Sequence, residues 1–164
     1  TSDTTAGATS GAGSTGSEWN AAINYSVPML EGLDLFFGYA NESSSGTRDD
    51  DNEMTIGATY ATGPIKVGYQ HSEVEDATAA GDEVTAYGIN FAVSDDLTVS
   101  YSVTENTVKA HAGTASSTSE ATGLNAAYSV GGGSLRIFTG EQDNPGFATG
   151  TSSKHTEISL SMSF

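Results

Sequence analysis

Residues 157–164 read Glu157-Ile158-Ser159-Leu160-Ser161-Met162-Ser163-Phe164. Apolar and polar side chains alternate through this stretch, and it ends on an aromatic residue. Alternate side chains of a β-strand point to opposite faces, so the stretch predicts a strand with one apolar and one polar face. A strand of this kind fits between an apolar medium and water.

The same period-2 alternation runs through most of the chain. We count about nine such segments, each near the ~9–11 residues that a tilted strand needs to cross a bilayer. No comparably sustained helical stripe is present. The sequence therefore predicts an all-β fold of antiparallel up-and-down strands. The apolar series occupy residues 19–27, 33–39, 54–60, 65–71, 85–93, 97–103, 124–130, 135–139 and 158–164.

Within these ranges, the alternate positions that form the apolar face carry no Asp, Glu, Lys or Arg. A basic side chain at the bilayer midplane costs roughly 2–4 kcal/mol, which explains such an exclusion if this face meets lipid. The opposite parity is polar or small, and several strand glycines fall on it. The pattern therefore favours a transmembrane β-barrel wall over residues 17–164.

The connections between the segments alternate in length. Short ones lie near 28–32, 62–64, 94–96 and 131–133, and long acidic ones span 42–52, 75–82, 105–119 and 141–154. Short turns on one rim and long loops on the other are typical of an outer-membrane barrel. A soluble β-sandwich is the alternative, but it gives no reason for this alternation or for aromatic residues near strand ends. The predicted interface girdle consists of Trp19, Tyr39, Tyr60, Tyr128 and Phe164.

The last strand resembles the closing strand of bacterial outer-membrane proteins, whose terminal aromatic residue belongs to the signal read by the outer-membrane assembly machinery. Phe164 occupies that position. With its loop layout, residues 17–164 resemble the C-terminal part of a Gram-negative general porin of the alphaproteobacterial type. The resemblance implies a homotrimer in the outer membrane, in contact with lipid bilayer and lipopolysaccharide. It also implies a water-filled channel for small hydrophilic solutes; the alternative is a non-channel barrel acting in structure or adhesion through its surface loops.

The resemblance also gives an orientation and a strand count. With both termini in the periplasm, all short turns are periplasmic and all long loops extracellular. Residues 1–16, rich in Gly, Ser and Thr, would be an extracellular loop. Single-chain bacterial barrels have even strand numbers, so nine strands predict part of a sixteen-stranded barrel. A complete eight-stranded barrel is the competing interpretation.

The predicted pore lining follows from the polar parity. Lys66 and Arg136 lie early in outward-running strands, hence toward the periplasmic half. In porins, basic wall residues commonly face acidic groups on an inward-folded loop, and the resemblance suggests this role for the two residues, although nothing in this sequence looks like that loop. The alternative is two isolated charges on a wetted wall. The remaining predicted lining residues are amides: Gln70, Asn90 and Asn125.

The densest acidic run is a candidate for a loop-bound calcium ion. Asp49, Asp50, Asp51 and Glu53 supply the carboxylate oxygens that Ca²⁺ prefers. Their spacing does not match the EF-hand loop, so a solvated, self-repelling loop is the favoured interpretation. No cofactor is otherwise expected.

Composition narrows the remaining functional classes. The chain holds 5 Lys+Arg against 21 Asp+Glu, with a formal net charge of -16. Binding to nucleic acid requires the opposite balance, because it depends on neutralising phosphates. Cysteine is absent, so disulfides and thiolate chemistry are excluded.

Some outer-membrane barrels are hydrolases, which makes catalysis an alternative. His71 lies near Glu73 and Asp76, as in a His–carboxylate pair, but its parity points toward lipid. His111 and His155 lie in or beside predicted loops, and no G-x-S-x-G motif accompanies them. The sequence therefore predicts that the protein is not an enzyme.

Overall fold

The computed structural model describes residues 17–43, 51–75, 81–109 and 115–162, without the side chains of residues 17, 42, 43 and 51. Helix within these ranges is limited to a 3₁₀ turn at Pro145–Phe147. None of the described helices is long and apolar enough to cross a membrane. The strands are β1 (Ser17–Ser26), β2 (Leu33–Ser43), β3 (Asp51–Thr62), β4 (Ile65–Glu75), β5 (Gly81–Ala92), β6 (Leu97–Val108), β7 (Ser117–Val130), β8 (Gly133–Asp143) and β9 (Ser152–Met162).

The nine strands form a single sheet in sequence order, and every neighbouring pair is antiparallel. The all-β, up-and-down prediction is therefore confirmed. Within the described residues, β1 pairs only with β2 and β9 only with β8, so these strands form the two edges. This arrangement is consistent with part of a porin barrel.

The short connections are tight turns, as predicted. Gly131 and Gly132 join β7 to β8, and their φ angles are 52° and 84°. A type I′ hairpin turn matches the strand twist and needs positive φ at both central positions, which glycine adopts without a steric penalty. The register of β7 on β8 is thereby set by the turn and runs from Val130 opposite Gly133.

The long connections are shorter than the sequence pattern predicted. Pairing of β6 with β7 continues to Val108 opposite Ser117, well inside the predicted 105–119 loop. β8 and β9 likewise pair as far as Asp143 opposite Ser152. Backbone hydrogen bonds do not depend on side-chain hydrophobicity, so a ladder can continue after the apolar alternation stops. The predicted loop bounds were wrong for this reason.

The sheet has two chemically different faces, here called the apolar face and the polar face. Large hydrophobic side chains of the apolar face are exposed, with Ile23 at 63% and Ile158 at 70%. Val103, 5% exposed, is the one buried hydrophobic residue in the described part of the chain, and no side chain there is fully buried. Such a sheet has no hydrophobic core of its own, so its apolar face requires an external apolar medium.

The band of apolar side chains runs obliquely across the sheet. Successive cross-strand partners form a row from Tyr25 of β1 through Tyr69 and Tyr87 to Glu141 of β8 and Lys154 of β9. This row starts inside the apolar band, at the short-turn end of β1. It ends among charged residues beyond the band, at the long-loop end of β9, so the band and the row are not parallel.

This slant gives the tilt of the strands against the membrane. The band lies over Trp19–Tyr25 on β1 and over Ile158–Met162 on β9, a displacement of about ten residues across the sheet. The displacement along the strands is taken at ~3.3 Å per residue, and the width from β1 to β9 at ~4.8 Å for each step between strands. For the band to lie parallel to the membrane, the strands must then be tilted by about 40° from the membrane normal. That value falls inside the ~35–45° range of transmembrane β-barrels.

The assignment of the two faces can be tested with adjacent alanines of β1. Ala21 lies on the apolar face opposite Tyr39, and Ala22 lies on the polar face opposite Gly38. We expect Ala21→Arg to lower the free energy of unfolding in lipid bilayers by about 2–4 kcal/mol, because it places a charge in hydrocarbon. Ala22→Arg should change it by less than about 1 kcal/mol. Equal losses in denaturant titrations of the two variants would contradict the assignment.

Candidate functional site

The polar face brings most of the predicted lining residues into one row. Lys66 of β4 is opposite Asn90 of β5, Asn90 is opposite Ser100 of β6, and Ser100 is opposite Asn125 of β7. Gln70 lies four residues along β4 from Lys66, on the same face. Strand parity and antiparallel pairing together create this row, because every strand contributes its polar parity to one side.

Arg136 is held by the amide of Asn125. Its Nε donates a hydrogen bond of 2.5 Å to Asn125 Oδ1, and Asn125 Nδ2 donates one of 3.4 Å to Ser100 Oγ. The guanidinium has further N–H groups that this contact leaves available. Arg136 lies between Leu135 and Ile137 of β8, near the middle of the apolar band. This position is farther from the short-turn end than its place early in the strand indicated.

Lys66 and Asn90 stand free on the wall. Neither has a hydrogen-bond or ion-pair partner among the described residues. Lys66 lies between Ile65 and Val67, at the short-turn end of the apolar band. Gln70 is more restrained, since its Nε2 donates a 3.0 Å hydrogen bond to Ser72 Oγ. Free polar groups on this face remain available to bind water or other polar molecules.

Acidic side chains of the polar face concentrate toward the long-loop ends. Glu18, Glu53 and Asp82 lie there, and Glu157 lies at 3.7 Å from His155 Nε2. The basic residues lie lower, at mid-height and at the short-turn end. Asp34 is the exception, on the polar face at the short-turn end of β2, so charges of opposite sign are only partly separated along the strands.

Two aromatic side chains on the polar face escaped the sequence analysis. Phe36 packs against Gly57, where an added Cβ would lie 2.1 Å from Phe36 Cζ. Phe138 covers Gly123 and Gly140, with added Cβ atoms 2.9 Å from its ring in both cases. Both rings are half-buried. Their parity was visible in the sequence, but their position over Gly57 and Gly123 of neighbouring strands required the register.

The described girdle residues lie near both ends of the apolar band. Trp19 and Tyr39 are in tilted ring contact, with centroids 5.2 Å apart toward the long-loop end. The Tyr39 hydroxyl donates a 2.7 Å hydrogen bond to Asn52 Oδ1. Tyr60 and Tyr128 lie toward the short-turn end. Phe164 falls outside the described residues, and the girdle remains a prediction.

His71 belongs to an ion-pair cluster on the apolar face, beyond the apolar band. Its Nδ1 is 3.0 Å from Thr85 Oγ1 and 3.8 Å from Glu83. Lys109 contacts Glu73 and also lies 3.8 Å from Glu83. Glu73 and Glu83 are cross-strand neighbours, and the lysine offsets the repulsion between them. Of the two carboxylates predicted near His71, Glu73 contacts Lys109 instead, and Asp76 lies outside the described residues, as does His111.

The calcium candidates lie mostly outside the described residues. Asp49 and Asp50 fall there, as does the side chain of Asp51, while Glu53 is exposed on β3. No group of three metal-binding side chains exists among the residues that the structure describes. The loop-bound calcium ion therefore remains a prediction.

A one-sheet fold with an apolar band on one face and a polar wall on the other defines the class of outer-membrane β-barrel walls. A family model described as Gram-negative porin matches residues 1–164. The chain belongs to the Gram-negative porin family and is located in the outer membrane of a Gram-negative bacterium. No curated protein matches the sequence at a significant level.

The contact between Phe138 and Gly123 provides a test of the polar wall. The three atoms nearest to a Cβ at Gly123 are side-chain atoms, two of them in the Phe138 ring. We expect Gly123→Ala to destabilise the protein by about 1–3 kcal/mol. Prior replacement of Phe138 by Ala should remove most of this cost. Denaturant titrations of the single and double variants measure the coupling.

Gly68→Ala is the control, because a Cβ there meets Thr59 Cγ2 at an ordinary 3.7 Å. Additive effects of Gly123→Ala and Phe138→Ala would show that the ring does not occupy this position.

Proposed function

We propose that the protein forms a water-filled channel for passive diffusion of small hydrophilic solutes and ions. The polar wall carries this proposal, since it presents Lys66, Asn90 and Arg136 on the face opposite the apolar band. In the proposed assembly, the nine strands belong to a sixteen-stranded barrel whose closed ladder leaves no unpaired backbone in hydrocarbon. Residues 1–16 would form an extracellular loop of that barrel.

Charge along the wall supports a selectivity mechanism. Acidic side chains at the long-loop ends would concentrate cations at the channel mouth, more strongly at low ionic strength. Arg136 and Lys66 would then act lower in the channel, where a positive wall slows cations and favours anions. The balance between mouth and wall sets the net preference in this mechanism.

The proposed partners follow from membership of the family. They are the lipid bilayer and lipopolysaccharide on the apolar face, two further copies in a homotrimer, and the assembly machinery at the C-terminal strand with Phe164. Passive diffusion requires neither catalysis nor a cofactor. The alphaproteobacterial affiliation belongs to the same proposal.

Reconstitution of the purified full-length porin into planar bilayers tests the channel. The expected result is stable stepwise conductance that scales with salt concentration. Correctly folded protein without conductance would overturn the proposal and favour a structural or adhesion role for the surface loops.

Charge reversal at the two basic wall residues tests the selectivity mechanism. Lys66→Glu and Arg136→Glu should each shift the reversal potential in a salt gradient toward cation preference, because each replaces a positive wall charge by a negative one. Lys154→Glu is the control, since Lys154 lies on the apolar face, 3.1 Å from Glu141. Unchanged reversal potentials in both wall variants would reject a role for these residues.

A further inference from the structure

A groove crosses the polar wall between β3 and β6. Its floor lies at Gly68 of β4 and Gly88 of β5, which are direct cross-strand partners. Neither residue has a side chain, so the rows on both sides stand above this floor. The depression has a volume of about 390 Å³. A volume of this order lies in the range of small-ligand pockets, ~300–1,000 Å³.

One side of the groove is aromatic. Phe36 lines it, together with Gln70 two strands away in the same row. The Phe36 ring is pressed against β3 at Gly57, because an added Cβ there would lie 2.1 and 2.5 Å from its Cζ and Cε1 atoms. The ring is half-buried and therefore presents part of its apolar surface to the groove.

The other side of the groove is polar. Lys66 and Asn90 line it as cross-strand partners, and both are free of partners among the described residues. On the aromatic side, the hydrogen bond from Gln70 Nε2 to Ser72 leaves the Gln70 carbonyl oxygen as an acceptor. The groove thus offers an ammonium group, an amide with donors and acceptors, and a further acceptor around a flat glycine floor.

We propose that this groove is a binding subsite for a monosaccharide carrying a carboxylate, a sugar acid. The apolar C–H face of a sugar ring fits against an aromatic side chain, its hydroxyl groups bond with amides, and its carboxylate pairs with an ammonium. The assignment rests on the proposed channel function, because it gives the wall a preferred solute. A purely apolar solute would bury Lys66 and Asn90 without partners, and a simple anion would make no use of the Phe36 ring.

The test measures block of the channel current by D-glucuronate in planar bilayers, using the full-length porin. Sugar acid bound at the wall should reduce the current in a saturable way. D-Glucose should block about fivefold more weakly, because it cannot pair with Lys66. Acetate, which has a carboxylate and no sugar ring, should not produce saturable block.

Two variants address the groove itself. Phe36→Ala removes the aromatic side and should weaken glucuronate block about fivefold. Gly68→Thr fills the floor and should weaken it about tenfold; its Cβ meets only Thr59 Cγ2 at 3.7 Å and the Ala58 carbonyl oxygen at 3.9 Å. The matched controls are Phe138→Ala, which removes the other polar-face ring, and Ala22→Thr, which adds the same side chain on β1. Both controls should bind glucuronate within about twofold of the unmodified channel.

The outcomes separate the two proposals. Absence of conductance in folded protein would overturn the channel function. A conducting channel that glucuronate does not block, that acetate blocks equally well, or whose block is unaffected by Phe36→Ala and Gly68→Thr would overturn the subsite and leave the channel function standing.

Discussion

Every backbone amide and carbonyl that enters hydrocarbon must find a partner in the protein, because lipid tails offer none. Eight antiparallel ladders satisfy this requirement between β1 and β9, with pairing that is unbroken from turn to loop. Since backbone hydrogen bonds alone hold the strands together, the side chains of the two faces can differ in polarity. The apolar face therefore meets lipid, and the polar face can line water.

The absence of a conventional core follows from the same requirement. Val103 is the one buried large hydrophobic residue of the described part, and even it is 5% exposed, while Ile23 and Ile158 are largely exposed. Burial of apolar surface still stabilises the fold, but the burying medium is the membrane. Packing within the protein is confined to places such as Phe36 on Gly57 and Phe138 over Gly123, where a ring and a bare backbone meet.

Agreement between sequence and structure was closest where period 2 and hydrophobicity coincide. All nine strands and the short turns were predicted, because every second residue of a strand that faces lipid must be apolar, and this requirement leaves a clear period-2 pattern in the sequence. The long-loop ends were predicted less well, since pairs such as Glu105 with Glu120 extend the ladder without an apolar signal. The polar face was also predicted less well: Phe36 and Phe138 have the polar parity, but their packing on Gly57 and Gly123 of neighbouring strands depends on the register.

The sequence alone determined that this chain is a two-faced, up-and-down β-structure of the outer membrane, with the basic residues Lys66 and Arg136 on its polar face. Alternation is a local property, and each strand reports it without reference to its neighbours. Only the tertiary structure decided the register, and the register determines which residues of different strands are in contact and how high each lies in the sheet. It fixed the ~40° slant, the height of Arg136, its contact with Asn125 and the groove at Gly68 and Gly88. These features join residues distant in sequence, and no local pattern encodes them.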